Sequence, residues 1–196
     1  MIVKIQRMKT LKTLKKVKFN NRPNISHTIN GKTVWESRSV AVVGVVILYN
    51  KGIPYVLISK RGPGMPNYQG KWNLVAGYLD WNESGTEAVY RECWEETGFD
   101  LPKYLEEFKV EVNNLDEPWT VSTCPSNNSE QNISMRYGVI MSTESDIFPE
   151  LSTEHNECIG ESEEPSWMPI TNLDKYEWAF NHKDVIEAYY FLNKLK

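Results

Sequence analysis

Three glutamates, Glu92, Glu95 and Glu96, stand at positions i, i+3 and i+4 of a segment that reads as a helix, which sets three carboxylates on one face. Helix stability argues against that arrangement, because like charges at this spacing repel and acidic side chains near a helix C-terminus oppose the macrodipole. A divalent cation would neutralise the cluster, and an all-oxygen donor set of this kind suits Mg²⁺ or Mn²⁺. The competing reading is a solvated helix face whose glutamates meet only water. Arg91 precedes Glu92 and follows Glu87 by four residues, so it can pair with carboxylates and fix one of them in a single rotamer. Glu83, just before the helix, either reaches toward the same cations or ties down the loop. Gly77 lacks the side chain that would keep a cation away from its backbone carbonyl.

The elements that must position these groups are legible around them. Ser84 and Glu87 are the two halves of a capping box, and Gly98 suits the left-handed position after a helix, which bounds the helix at residues 84–97. Ala88, Val89 and Cys93 are the small or apolar residues that would pack it onto a sheet. Upstream, Asn30-Gly31 between residues 27–29 and 33–35 predicts a hairpin with a type I′ turn. Residues 40–49 and 55–59 are apolar, β-branched runs joined at Asn50-Lys51-Gly52, and they read as central strands buried on both faces. Residues 74–76 read as a short strand, with further strands expected at 110–113, 119–123 and 133–141 and a helix at 184–194. The polar stretch 124–132 reads as a hairpin connection. Strands alternating with helices predict a mixed α/β fold in one domain, residues 23–196.

A chain of 196 residues suits about one domain and buries enough surface to fold without a disulfide or metal staple. Its 40% hydrophobic and 24% charged residues are those of an ordinary soluble globular protein. The longest apolar stretch, residues 40–49, falls well short of the roughly twenty residues of a membrane helix, so no membrane partner is expected. Cys93, Cys124 and Cys158 are far apart and odd in number, which supports neither a disulfide framework nor a CxxC zinc site and points to a reducing, cytoplasmic setting. Charge is uneven. Lys4, Arg7, Lys9, Lys12, Lys15, Lys16, Lys18 and Arg22, with no acidic residue among them, place +8 before residue 23, so the net −4 of the chain becomes −12 over the rest. The arm at residues 1–22 lacks the uninterrupted apolar core of a signal peptide. It reads either as a contact with nucleic acid or anionic lipid or as a terminus without a part in the main function. The −12 balance argues against a long nucleic-acid track.

The run from Gly77 to Phe99 resembles the signature of the Nudix hydrolases: Gly, five residues, Glu, seven residues, Arg-Glu, an apolar residue, any residue, Glu-Glu, any residue, Gly, apolar. It fits at every fixed position, with Cys93 where the family usually has Ile, Leu or Val. Looser similarity extends to residues 56–62, 70–76 and 163–170. The resemblance implies a Nudix-type α/β/α sandwich around a mixed β-sheet. The activity it implies is a metal-dependent pyrophosphohydrolase, cleaving the diphosphate linkage of a nucleotide sugar, ADP-ribose, dinucleotide or nucleoside triphosphate. Glu92, Glu95, Glu96 and the Gly77 carbonyl would hold Mg²⁺ or Mn²⁺, with Arg91 orienting Glu92. Glu92 is also a candidate general base. Some family members take the base from a loop after the box, and the acidic run Glu144, Asp146, Glu150, Glu154, Glu157, Glu161, Glu163 and Glu164 offers one, with no member singled out by sequence.

Arg61, Lys71 and Arg136, with Lys60, are candidate phosphate contacts, and Tyr78, with Tyr68, Trp72 and Trp81, is a candidate stacking surface for a base. Each also has a plain surface or packing reading. A small nucleotide is the expected partner, and a homodimer is left open. Two other readings stand beside the enzyme: a Nudix-fold module that senses a nucleotide without turning it over, and an RNA 5′-end processing enzyme that uses the basic arm.

Overall fold

Two Asn-Gly and Lys-Gly dipeptides punctuate the first half of the chain, and both become hairpin turns. In this computed structural model, which describes residues 25–36, 39–123, 132–156 and 160–194, strand β1 (Ile25–Ile29) pairs antiparallel with β2 (Lys32–Glu36) across Asn30-Gly31. The expected arm at residues 1–22, and all but the last residue of the expected connection at 124–132, lie outside the described residues. The hairpin belongs to one unit, Met1–Ser37, and everything else to a second, Arg38–Lys196.

In the second unit, β3 (Val40–Asn50) and β4 (Ile53–Arg61) are joined by Lys51 and Gly52 at φ 49° and 78°, so Asn50 belongs to the strand rather than to the turn. The sheet continues with β5 (Trp72–Asn73), β6 (Val75–Tyr78), β7 (Lys109–Asn114), β8 (Thr120–Ser122), β9 (Ile133–Thr143) and β10 (Ser162–Pro169). Its order is β10-β4-β3-β9-β7, with β5 beside β4, β6 beside β3 and β8 beside β9. The β3–β9 pair is parallel and the others are antiparallel, which makes the sheet mixed. The short strand expected at residues 74–76 is two pieces instead. Leu74 steps between them because its N–H donates to His182 Nδ1 at 3.1 Å and its carbonyl accepts from Asn73 Nδ2 at 2.7 Å, leaving neither group for a neighbouring strand.

Helix α1 (Gly85–Thr97) follows β6, and α2 (Leu101–Glu107) follows at once. The sequence reading does not anticipate α2. Its signals are local, an Asp100 side chain that accepts from Lys103 N–H and a proline in the first turn. Helix α3 (His182–Asn193) begins two residues earlier than the expected 184. Because β3 is buried on both faces, its side chains alternate between two cores. Val42, Val46 and Leu48 meet Ala88, Val89 and Cys93 of α1, whereas Val43, Val45 and Ile47 meet Val185, Ile186 and Tyr189 of α3. Helices thus cover both faces of the mixed sheet, the expected α/β/α sandwich. No helix among the described residues is long and apolar enough to cross a membrane.

His182 locks the start of α3 to the break between β5 and β6. Burial, and then the nearby charges of Arg61 and Arg136, holds its pKa down at about 3, against an ordinary 6.5. The unfolded chain therefore takes up this proton at a higher pH than the folded one, so stability is lost as pH falls below about 6.5 and the loss levels off near 3. One such group contributes a slope of up to about 1.4 kcal/mol per pH unit. His182→Asn, which cannot be protonated, should flatten the acid limb of the stability curve, read as urea unfolding between about pH 4 and 7. Equal slopes for the two proteins would count against a neutral buried His182.

Candidate active site

The site is built on α1. At its start, Ser84 Oγ accepts from the Glu87 N–H at 3.2 Å and Glu87 Oε2 accepts from the Ser84 N–H at 2.7 Å, so Glu87 serves the cap and not Arg91. At its end Gly98 sits at φ 66° and its N–H donates to the Trp94 carbonyl at 2.8 Å. Burying Ala88, Val89 and Cys93 turns Glu92 and Glu96 inward as well, leaving them 5% and 4% exposed.

Each of these carboxylates has a fitted seat. A Cβ at Gly77 would lie 1.9 Å from Glu92 Oε1, so the missing side chain is what admits the Glu92 carboxylate. Glu96 accepts from Ser59 Oγ at 3.2 Å and from the Ala76 N–H. Burial pushes the Glu92 carboxyl up to about 7, with Arg91 drawing it back and Glu95 and Glu161 adding to the rise. Glu96 is raised well above the usual carboxylate range, first by burial and then by the charges of Glu92 and Glu161.

Glu95 behaves differently. The spacing puts three carboxylates on one face, but Glu95 Oε2 accepts from Arg91 Nη1 at 2.9 Å, on a partly buried flank of the helix. Arg91 gathers the surrounding acids: Nη1 also donates to Glu92 Oε1 at 2.7 Å, and Nε and Nη2 donate to Glu83 at 3.1 and 2.9 Å. Its Nη2 further donates to the Tyr78 carbonyl at 3.0 Å, and Glu83 Oε1 accepts from the Asp80 N–H at 2.7 Å. Glu83 thus ties down the loop between β6 and α1. Among the described residues, no three His, Cys, Asp or Glu side chains stand close enough to hold a metal ion as they are placed. The donor chemistry nevertheless fits a hard divalent cation, since the groups are all oxygen and Glu96 has no cationic partner among the described residues.

Glu161 is near enough for its charge to raise both carboxyls. Its carbonyl accepts from the Gly62 N–H at 2.8 Å, and the Gly160 carbonyl accepts from the Gly64 N–H at 2.8 Å. Glu161 immediately precedes Ser162, which pairs with Arg61, two residues beyond the Ser59 that holds Glu96. In the acidic run, Asp146 pairs instead with Lys51 and Glu164 with Lys60, while Glu157 lies outside the described residues. Ser59 and Gly62 were not singled out from the sequence. The signal for Ser59 is a hydroxyl in the otherwise apolar run 55–59, and a Cβ at Gly62 would lie 2.1 Å from the Gly160 carbonyl.

The candidate substrate contacts divide. Tyr78 is exposed beside Arg91, and Trp81 in the same loop is 94% exposed. Arg61 is buried, donates to the Asn67 carbonyl and Oδ1 at 3.0 and 2.9 Å, and lies over Phe180. Lys71 pairs with Glu177 at 3.5 Å, and Arg136 Nη2 reaches Asn181 Oδ1 at 3.5 Å. Those three cations therefore gather around the segment leading into α3. Tyr68 packs on Phe180 and Trp72 on Tyr176.

A family model described as the NUDIX domain matches residues 38–189, and the chain belongs to that family. It is a Nudix-type hydrolase, with every fixed position of the box filled. Solved structures share the fold. The NUDIX domain of Shewanella oneidensis NrtR, complexed with ADP ribose, is 18% identical with a TM-score of 0.56, over 80% of this chain and 90% of that one. A NUDIX-family hydrolase from Clostridium perfringens is 18% identical with a TM-score of 0.55, over 80% of this chain and 99% of that one. A Francisella tularensis bifunctional NMN adenylyltransferase/ADP ribose pyrophosphatase, complexed with AMP and a Mn ion, is 18% identical with a TM-score of 0.57; the match covers 78% of this chain and only 41% of that one. No curated protein matches the chain.

The Arg91 network gives a direct test. A lysine at that position cannot span Glu83, Glu92 and Glu95 with one ammonium, so Arg91→Lys should lower turnover about 10–100-fold while the unfolding midpoint moves little. Unchanged turnover would mean that the orientation of Glu92 does not depend on the fork.

Proposed function

We propose that the protein is a metal-dependent pyrophosphohydrolase that cleaves the diphosphate linkage of nucleoside diphosphate derivatives. The observation that carries this reading is the buried pair Glu92 and Glu96, seated on Gly77 and Ser59 and opposed by the charge of Glu161. Two desolvated carboxylates are driven toward protonation unless a cation shares their site, and hard oxygen donors suit Mg²⁺ or Mn²⁺. Glu92 and Glu96 would hold the ion, with the Gly77 carbonyl and Glu95 as further donors. A bound ion of this kind neutralises charge on a diphosphate and acidifies a water.

The chain's own residues do the rest. Arg91 keeps Glu92 in one rotamer through the bond to Oε1. Glu161 takes the proton from the water that attacks phosphorus, as the P–O bond of the anhydride breaks. Two features favour Glu161 over Glu92 for that step: its charge reaches both members of the pair, and its carboxylate accepts no hydrogen bond among the described residues, whereas Glu92 Oε1 is engaged by Arg91. Tyr78 and Trp81 offer exposed rings for a base at the mouth of the loop.

The defining experiment is a panel of ADP-ribose, nucleotide sugars, dinucleotides and nucleoside triphosphates assayed with Mg²⁺ and with Mn²⁺. ADP-ribose comes first because two of the fold neighbours carry it in their names. Turnover of one class that vanishes with chelator is the expected result, and tight nucleotide binding with no turnover would favour a sensing module. Glu161→Gln should lower kcat on the best compound by about 10²–10⁴-fold with KM nearly unchanged. If Glu92→Gln produces that signature and Glu161→Gln does not, the base is Glu92.

A further inference from the structure

We propose that His155 is a positioning residue: stacked on Trp94, it fastens the acidic segment to α1 and so holds Glu161 opposite Glu92 and Glu96. The inference rests on the role given to Glu161 above. Trp94 lies between Cys93 and Glu95 on the outward flank of α1 and remains 42% exposed. The imidazole of His155 lies on its indole, ring centroids 4.0 Å apart and planes inclined by 20°. An aromatic pair of this geometry contributes beyond the area it buries.

The stack is one of a set of fastenings. Ser152 N–H donates to the Thr97 carbonyl at 2.8 Å, so the segment crosses the last turn of α1 and satisfies one of its unpaired carbonyls. Beside His155, Asn156 Nδ2 donates to the Ser162 carbonyl at 2.8 Å, which ties the stacked end of the segment to the residue that follows Glu161. On the far side, the Gly62 and Gly64 N–H groups hold the Glu161 and Gly160 carbonyls, with no room at Gly62 for a side chain. Glu161 is thus gripped from the sheet through backbone and from the box helix through the stack. Displacing a reacting group by about 1 Å costs on the order of 10²-fold in rate, so loosening one grip should show in turnover.

The test uses the full chain with the compound and metal that the panel identifies. His155→Ala should lower kcat by about 10-fold or more with KM nearly unchanged, and His155→Phe, which restores a flat ring without the imidazole, should recover most of the loss. Trp94→Leu, removing the other half of the stack, should reproduce the alanine result. Combined with Glu161→Gln, His155→Ala should add no further loss, because a positioning group has nothing left to position. A further loss of the same factor in the double variant, or no rescue by phenylalanine, overturns the proposal. The two levels separate cleanly. If Glu161→Gln leaves turnover intact, the role of Glu161 fails and the clamp falls with it; if Glu161→Gln is damaging and His155→Ala is silent, the clamp alone fails.

Discussion

Two carboxylates buried under one helix are the constraint to which the rest of this site answers. Placing Glu92 and Glu96 at 5% and 4% exposure costs free energy that no single contact returns, since taking each carboxylate out of water is penalised by several kcal/mol and only Glu92 meets a cation among the described residues. Around the pair, each neighbour reduces that cost in its own way. Gly77 gives up a side chain to make room, Ser59 and the Ala76 N–H donate to Glu96, and Arg91 brings one guanidinium to Glu92. The apolar residues of the same helix, Ala88, Val89 and Cys93, then hold it down against the sheet. An arrangement so costly is what the proposed divalent cation would relieve, by sharing the site with the two carboxylates.

Most of this was legible wherever the signal is local. The capping box, the glycine that ends α1 and the two hairpin turns follow from φ preferences and short-range hydrogen bonds, and they fall where the residue types put them. The buried strands followed from unbroken β-branched runs. The failures involve partners distant in sequence. The break at Leu74 depends on a histidine 108 residues away, and which member of the acidic run comes near the buried pair depends on how β10 pairs with β4. Helix α2 is a different kind of miss, because its cap at Asp100 and its early proline were present but follow so closely on α1 that one stop signal hid the next start.

The i, i+3, i+4 spacing of the three glutamates illustrates the limit of a helical wheel. It correctly gives the face, but a face is wide enough for two fates. Glu92 and Glu96, four apart, share the inward line with Ala88 and so enter the fold, while Glu95 sits one step around and finds Arg91 four residues before it. Which glutamate a cation can recruit is therefore decided by the competing arginine as much as by the carboxylates.

The cations of the domain support the same division of labour. Arg61 is held by Asn67, Lys71 by Glu177, and Arg91 by Glu83, Glu92 and Glu95, so the basic side chains near the box already have partners within the fold. Arg61 and Arg136 also act on His182: with burial, their charges hold that imidazole neutral, so it adds no further positive charge beside them. Among the described residues, a diphosphate arriving at this site would find few uncommitted side-chain cations to meet it. On the proposed reading its charge would fall instead to an ion held by the buried glutamates, and turnover would depend on that divalent metal more than on an arginine clamp.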